Sequence, residues 1–184
     1  MFLRSVDEFD RRVAAIGDDQ WTNATPCSDW DVRALVNHVT SEALWAPHLL
    51  AGKTIEEAGD SFEGDVLGSD PAGAWSIAAK EEREAVQDQG ILERKVYLSR
   101  GPTAASTYLG ELLNDHVVHA WDLARGIGAD ETLDADLVEV IYAVAAPMED
   151  DLKASGLFGD KVEPPAGADT QTKMLAVFGR KAFS

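Results

Sequence analysis

Residues 111–126 read ELLNDHVVHAWDLARG, and this stretch decides the fold. On a wheel of about 100° per residue counted from Leu109, Leu112, Leu113, Ala120 and Leu123 fall into one sector. The stripe predicts an amphipathic helix from near Thr103 to about Arg125, opened by the Gly101-Pro102 turn and stopped before Gly126. At 1.5 Å per residue it spans roughly 34 Å, long enough to cross a small bundle. His116 falls in the middle of the stripe, so its ring must be buried. It is either a neutral, hydrogen-bonded core histidine or a metal ligand. Asp115 and His119 fall at the stripe's margin, four residues apart, with Cβ atoms about 6 Å from each other.

The same period recurs outward from this helix. Leu3, Val6, Phe9, Val13 and Ile16 step by three and four, which predicts a first helix over 4–17. Val32, Leu35, Val36, Val39 and Ala43 mark a second, ending by Gly52, with Ser28 and Asp31 placed as a capping box at its start. Asp70-Pro71 caps a third, over about 71–88, with Trp75, Ala78, Ala79 and Val86 inward. KVYLS at 95–99 has strand character. A further helix is expected over about 134–154 with Leu137, Ile141, Val144, Met148 and Leu152 inward, and a short last one over 170–178, closed by Gly179. Residues 52–70, rich in Gly and acid, have no sustained period. They read as a lid over a site or as a surface connection. The expected architecture is all-α, an up-down bundle with additional short helices, in a single domain over 1–184.

Composition narrows the function. The chain has 184 residues, with 16 Lys and Arg against 33 Asp and Glu, a net charge of −17. Such acidity speaks against a nucleic-acid backbone or an anionic membrane as partner. The N-terminus, MFLRSVDEFD, carries three acids and no apolar run, and the chain has one cysteine, Cys27. A cytoplasmic protein is the expectation.

The chemistry rests on Asp115 and His119, and on His38, which lies at the margin of its own stripe on the second helix. A carboxylate and imidazoles on facing helices can share one divalent ion near 2.1 Å. The same residues serve equally as packed core histidines and a helix-face ion pair. Asp122 lies on the face of Asp115, placed to orient His119 or to stand as a surface acid. His48 points away from its stripe and is expected in solvent. Cys27 reads as a loop thiol, with a nucleophile at the helix start as the sharper alternative. Trp30 and Trp121 read as core or rim aromatics. Arg33 and Arg125 could meet an anionic substrate or pair with the many acids.

Three segments carry a family resemblance: TPCSDWDVRALVNHV at 25–39, DHVVHAWDLARGIG at 115–128 and MLAVFGRK at 174–181. In this order they resemble actinobacterial proteins related to mycothiol-dependent maleylpyruvate isomerase, in the DinB-like superfamily. The resemblance implies a DinB-like four-helix bundle and a metal site of His38, Asp115 and His119. The metal implied is zinc, nickel or another divalent ion. The isomerase has Glu where this chain has Asp115, so the ion would lie nearer the helix backbone here. It also carries a further C-terminal domain.

The implied activity is a mycothiol-dependent S-transferase or isomerase, with the metal activating the thiol toward an electrophilic substrate. Asp122 and Arg125 are the candidates for supporting the site. Two alternatives differ in class. One is a hydrolase using a metal-bound water, with Asp122 or Glu42 as base. The other is a non-catalytic bundle that binds a metal or small ligand. An outer helix face would serve a homodimer.

Overall fold

The computed structural model describes residues 1–154 and 162–183. The chain forms two compact units, Met1–Asp130 and Glu131–Ser184. The first is built on four helices: α1 (Phe2–Val13), α2 (Val32–Leu50), α4 (Pro71–Ala85) and α5 (Ala105–Ile127), with a short α3 (Ile55–Ala58) between the second and third. α1 packs on α4 and α5, and α2 packs on the same two, so the four helices close a ring. A hairpin of β1 (Lys95–Leu98) and β2 (Gly101–Ala104) leads into α5, with Val96 opposite Thr103. Among the described residues no helix is long and apolar enough to cross a membrane.

The core follows the apolar stripes. Val6, Phe9, Leu35, Val36, Val39, Ala43, Ala78, Ala79, Ala120 and Leu123 are wholly enclosed. Phe9 meets Trp75 edge to face at 4.8 Å, and the Trp75 indole donates to Asp10 Oδ1 at 2.9 Å. This joins α1 to α4 through the one polar atom of a buried ring.

Several boundaries differ from the sequence expectation. α1 ends at Val13, Leu3 is 41 % exposed, and Phe2 turns inward instead. The cap of α2 is Asp31, whose carboxylate accepts from the Ala34 amide, and not Ser28. The two residues just after Asp31 are pinned to the preceding loop: the Val32 amide donates to Asn23 O and the Arg33 amide to Trp21 O. α5 runs past Gly126 and is capped by Gly128, which adopts the left-handed conformation at φ 67°.

In the second unit, α6 (Ala135–Ala145) gives way to a 3-10 turn at Ala146–Met148 and then α7 (Glu149–Ala154). Pro147 has no amide to continue the α6 ladder, so the single helix expected over 134–154 breaks there. Leu137 and Ile141 are buried as expected, but Val144 and Met148 are exposed. α8 (Thr170–Val177) is capped by Asp169 and packs on α6, and Gln171 Oε1 accepts from the Leu133 amide.

Candidate metal centre

The site lies where α2 faces α5. His38, on the margin of the α2 stripe, brings Nε2 to 3.3 Å from Asp115 Oδ2. His119, one turn beyond Asp115 on α5, brings Nε2 to 3.3 Å from Asp115 Oδ1. The two imidazoles meet edge to face at 5.2 Å. One ligand atom from each of the three residues lies within 4.8 Å of the other two. The three residues named from the sequence are therefore brought together.

The residues fit a divalent ion on the evidence of Asp115. Its side chain is 27 % exposed, yet Oδ2 is sealed from solvent and has no hydrogen-bond partner. His38 Nε2 is close enough to bond and is not aligned to do so. A buried carboxylate oxygen without a partner is costly. Two donors on one tetrahedral ion with bonds near 2.0–2.1 Å stand about 3.3 Å apart, which is the spacing found on both sides of this carboxylate. Electrostatics agree. Burial alone would push the Asp115 carboxyl up, but His119 and His38 beside it hold it well below the usual range. Burial likewise opposes charge on His119, but Asp115, Asp122 and Cys27 raise its pKa well above the ordinary value.

A second layer surrounds His119. Asp122, fully buried, takes the His119 Nδ1–H at 3.0 Å through Oδ2. A carboxylate only accepts, so in the neutral ring this bond keeps the proton on Nδ1 and the lone pair on Nε2, the nitrogen nearest Asp115. The Cys27 thiol donates to the same Asp122 oxygen at 3.3 Å, with Sγ 3.9 Å from His119 Nδ1. Cys27, His119 and Asp122 form a second group of donor atoms within reach of one another.

The sequence offered Cys27 as a loop thiol or as a nucleophile at the helix start, and gave no sign of its approach to His119. The approach is made by the 25–30 turn, where Thr25 Oγ1 donates to Trp30 O at 2.8 Å and accepts from the Cys27 amide. Gly126 makes room for that turn. A Cβ there would stand 3.2 Å from Thr25 Cγ2 and Val32 Cγ2 and 3.3 Å from Ala24 O.

Trp30, read as a core or rim aromatic, lies against the site directly. Its ring lies 4.6 Å from that of His38 and 5.7 Å from that of His119. Beside it opens a pocket of about 600 Å³, lined by Trp30, Arg33, Asn37, His38, Ser41 and Asp65 among others. The 60s loop forms its outer wall. Arg33, Asn37 and Ser41, spaced by four on α2, tie the loop down: Arg33 to Asp65 and Gly68 O, Asn37 to Gly64 O, and Ser41 to Phe62 O. Arg33 is thus engaged by Asp65. Arg125 lies over the Trp121 ring at 4.5 Å. His48, expected in solvent, is half-buried: its Nε2–H donates to Thr54 O at 2.8 Å beside the rings of Trp45 and Phe62. Burial and then the charge of Asp115 raise the Glu42 carboxyl pKa.

Bundle and site together define a class: an all-α, DinB-like bundle with a carboxylate held between two histidines from facing helices. Within it the chain belongs to the mycothiol maleylpyruvate isomerase N-terminal domain family, whose model matches residues 2–124. Two proteins of Mycobacterium tuberculosis, "Uncharacterized protein Rv0738" of strain H37Rv and "Uncharacterized protein MT0763" of strain CDC 1551, are each 26 % identical to it over 179 residues, which is 96 % of this chain and 94 % of theirs. No solved structure gives a significant match.

Proposed function

We propose that the chain is a cytoplasmic, mycothiol-dependent S-transferase or isomerase whose divalent ion is held by His38 Nε2, Asp115 and His119 Nε2. The observation that carries the reading is the buried, unpartnered Asp115 Oδ2, 3.3 Å from His38 Nε2 without hydrogen-bond alignment. The family's name, mycothiol maleylpyruvate isomerase N-terminal domain, supports a thiol as co-substrate. An ion held by these three residues would make a thiol acidic enough to act as a nucleophile at neutral pH.

The chain's own residues do the rest. Asp122 holds His119 in the tautomer that keeps Nε2 free. The pocket beside Trp30 admits both thiol and electrophile from one side of the site. The thiol gives up its proton to solvent, and its sulfur bonds to an electrophilic carbon, displacing an electron pair towards a leaving group or along a conjugated double bond. Either a leaving group then departs, which is transfer, or the same sulfur is expelled after rotation about the former double bond, which is isomerisation. The hydrolytic alternative is disfavoured because Asp122, one of its two candidate bases, is fully buried and already accepts from His119 and Cys27.

The test is metal content by mass spectrometry for wild type, His38→Ala and His119→Ala, followed by thiol consumption with a panel of electrophiles. Metal present in the wild type and diminished in both variants, with turnover only when thiol is supplied, is the expected result. Metal content unchanged in both variants overturns the site, and turnover without thiol overturns the reaction.

A further inference from the structure

The pocket beside Trp30 is poor in available positive charge. Among the described residues that line it, Arg33 is the only Lys or Arg, and it shares the lining with two acids, Asp31 and Asp65. An arginine in such a place is the natural receptor for a carboxylate, because its planar fork matches the two oxygens. Here the chain supplies that carboxylate itself. Arg33 Nη2 donates to Asp65 Oδ1 at 3.0 Å, to Oδ2 at 2.9 Å and to Gly68 O at 2.8 Å. Asp65 is set in place in turn: Oδ1 accepts from the Leu67 amide at 3.1 Å and from the Gly68 amide at 3.3 Å. The bond from Arg33, and then those from the loop amides, hold its carboxyl below the usual range.

The other polar side chains of the lining are engaged as well. Asp31 accepts from the Ala34 amide at 2.8 Å as the cap of α2 and brings a second negative charge. Asn37 is spent on the loop, with Nδ2 donating to Gly64 O at 2.8 Å and Oδ1 accepting from the Val66 amide at 2.9 Å. The apolar surface left to a ligand comes from the half-buried Trp30 ring and the Ala34 methyl. An anion would have to displace a carboxylate that the loop already fixes, and would then meet two acids with one guanidinium between them. An uncharged planar molecule meets neither obstacle and can lie against the indole.

We propose that the electrophile taken by this site is an uncharged, planar molecule, and that Asp65 sets the preference by occupying Arg33. The inference rests on the thiol-dependent reading above and narrows its second substrate. Arg33, which the sequence allowed as the partner of an anionic substrate, is withheld from that role. Asp65 touches no reacting atom and acts through Arg33. Discrimination of this kind comes from a charge built against the wrong ligand as much as from contacts to the right one.

The full chain, treated with a chelator, would be titrated with nitrobenzene and with p-nitrobenzoate, unreactive planar probes that differ by one carboxylate. The readout is the NMR shift of the Trp30 indole N–H, identified with Trp30→Phe. Chelation keeps the carboxylate from binding through a metal. The wild type should bind nitrobenzene at least about fivefold more tightly, the scale of one partly screened charge contact. Asp65→Asn keeps an oxygen for the loop amides and removes the charge. It should raise p-nitrobenzoate affinity by about the same factor and leave nitrobenzene unmoved. Adding Arg33→Gln should abolish the gain. Equal or tighter binding of p-nitrobenzoate to the wild type overturns the proposal. So does a preference that Asp65→Asn leaves unchanged, and so does a Trp30 signal that neither probe moves. The thiol-dependent reading fails separately: the expected probe selectivity, with no thiol consumed by any uncharged electrophile, keeps the role of Asp65 in the pocket and removes the reaction.

Discussion

Asp122 Oδ2 lies 3.0 Å from His119 Nδ1, on the edge of the ring turned away from Asp115. His119 is thereby gripped from both sides, with Asp115 Oδ1 3.3 Å from Nε2. Asp122→Asn keeps the shape and removes the obligate acceptor, so Nδ1 can lose its proton and Nε2 can take it. Metal affinity is expected to fall about 10–100-fold. A competition titration of Asp122→Asn beside the wild type measures this, and an unchanged affinity would show that Asp122 does not set the tautomer.

The metal-free protein should carry a pH signature of the same residues. The folded-state pKa of His119 is raised, so its contribution is whole below about pH 6.5 and is lost as pH climbs through the raised value. That of Asp115 is lowered, so its contribution is whole above about pH 3.8 and is lost as pH falls through the depressed value. Thermal unfolding of the stripped protein should therefore show this stabilisation at its fullest between those limits, with a decline on the alkaline side. The alkaline decline should vanish in His119→Ala and shrink when zinc is added. A decline that persists in His119→Ala would assign the pH dependence to other groups.

The 60s loop should be a separable element. Its ion pair, Arg33 Nη2 to Asp65 Oδ2 at 2.9 Å, is partly solvated, with side chains 35 % and 60 % exposed. Pairs of that kind contribute about 0–1 kcal/mol to global stability. Asp65→Ala should leave the denaturation midpoint nearly unmoved while speeding proteolytic cleavage within 59–68. Equal resistance to protease in both proteins would mean that Asn37 and Ser41 hold the loop without Arg33.

The helices of the bundle were legible because their stripes keep the 3.6-residue period: Val32 to Ala43 and Leu109 to Leu123 each present one face, and each is buried. Asp115, His119 and His38 were legible because marginal positions on facing helices converge. What escaped depends on contacts between residues far apart in sequence. Glu82 reads as one acid in the run KEERE, and only the closing of the bundle sets it against His116 across the core. Cys27 reaches His119 through a turn whose bonds no period announces. The 134–154 pattern kept its spacing through Pro147, so periodicity overruled a breaker that the backbone could not ignore.

Two glycines of α5 give the last prediction, because they look alike in sequence and differ in surroundings. A Cβ at Gly110 meets nothing within 4 Å, and the residue is exposed in the helix interior. Gly110→Ala should stabilise the protein by about 0.5–1 kcal/mol, from helix propensity and a less free unfolded chain. At Gly126 the Cβ would press on Thr25, Val32 and the Ala24 carbonyl. Gly126→Val should cost about 1–3 kcal/mol by overpacking. Because the displaced segment carries Cys27 and Trp30, it should also weaken metal binding and change the fluorescence of Trp30. Chemical denaturation of both variants, read with zinc affinity, separates the effects. A Gly126→Val protein that lost stability and kept full zinc affinity would show that the 24–32 segment caps the helix without shaping the site.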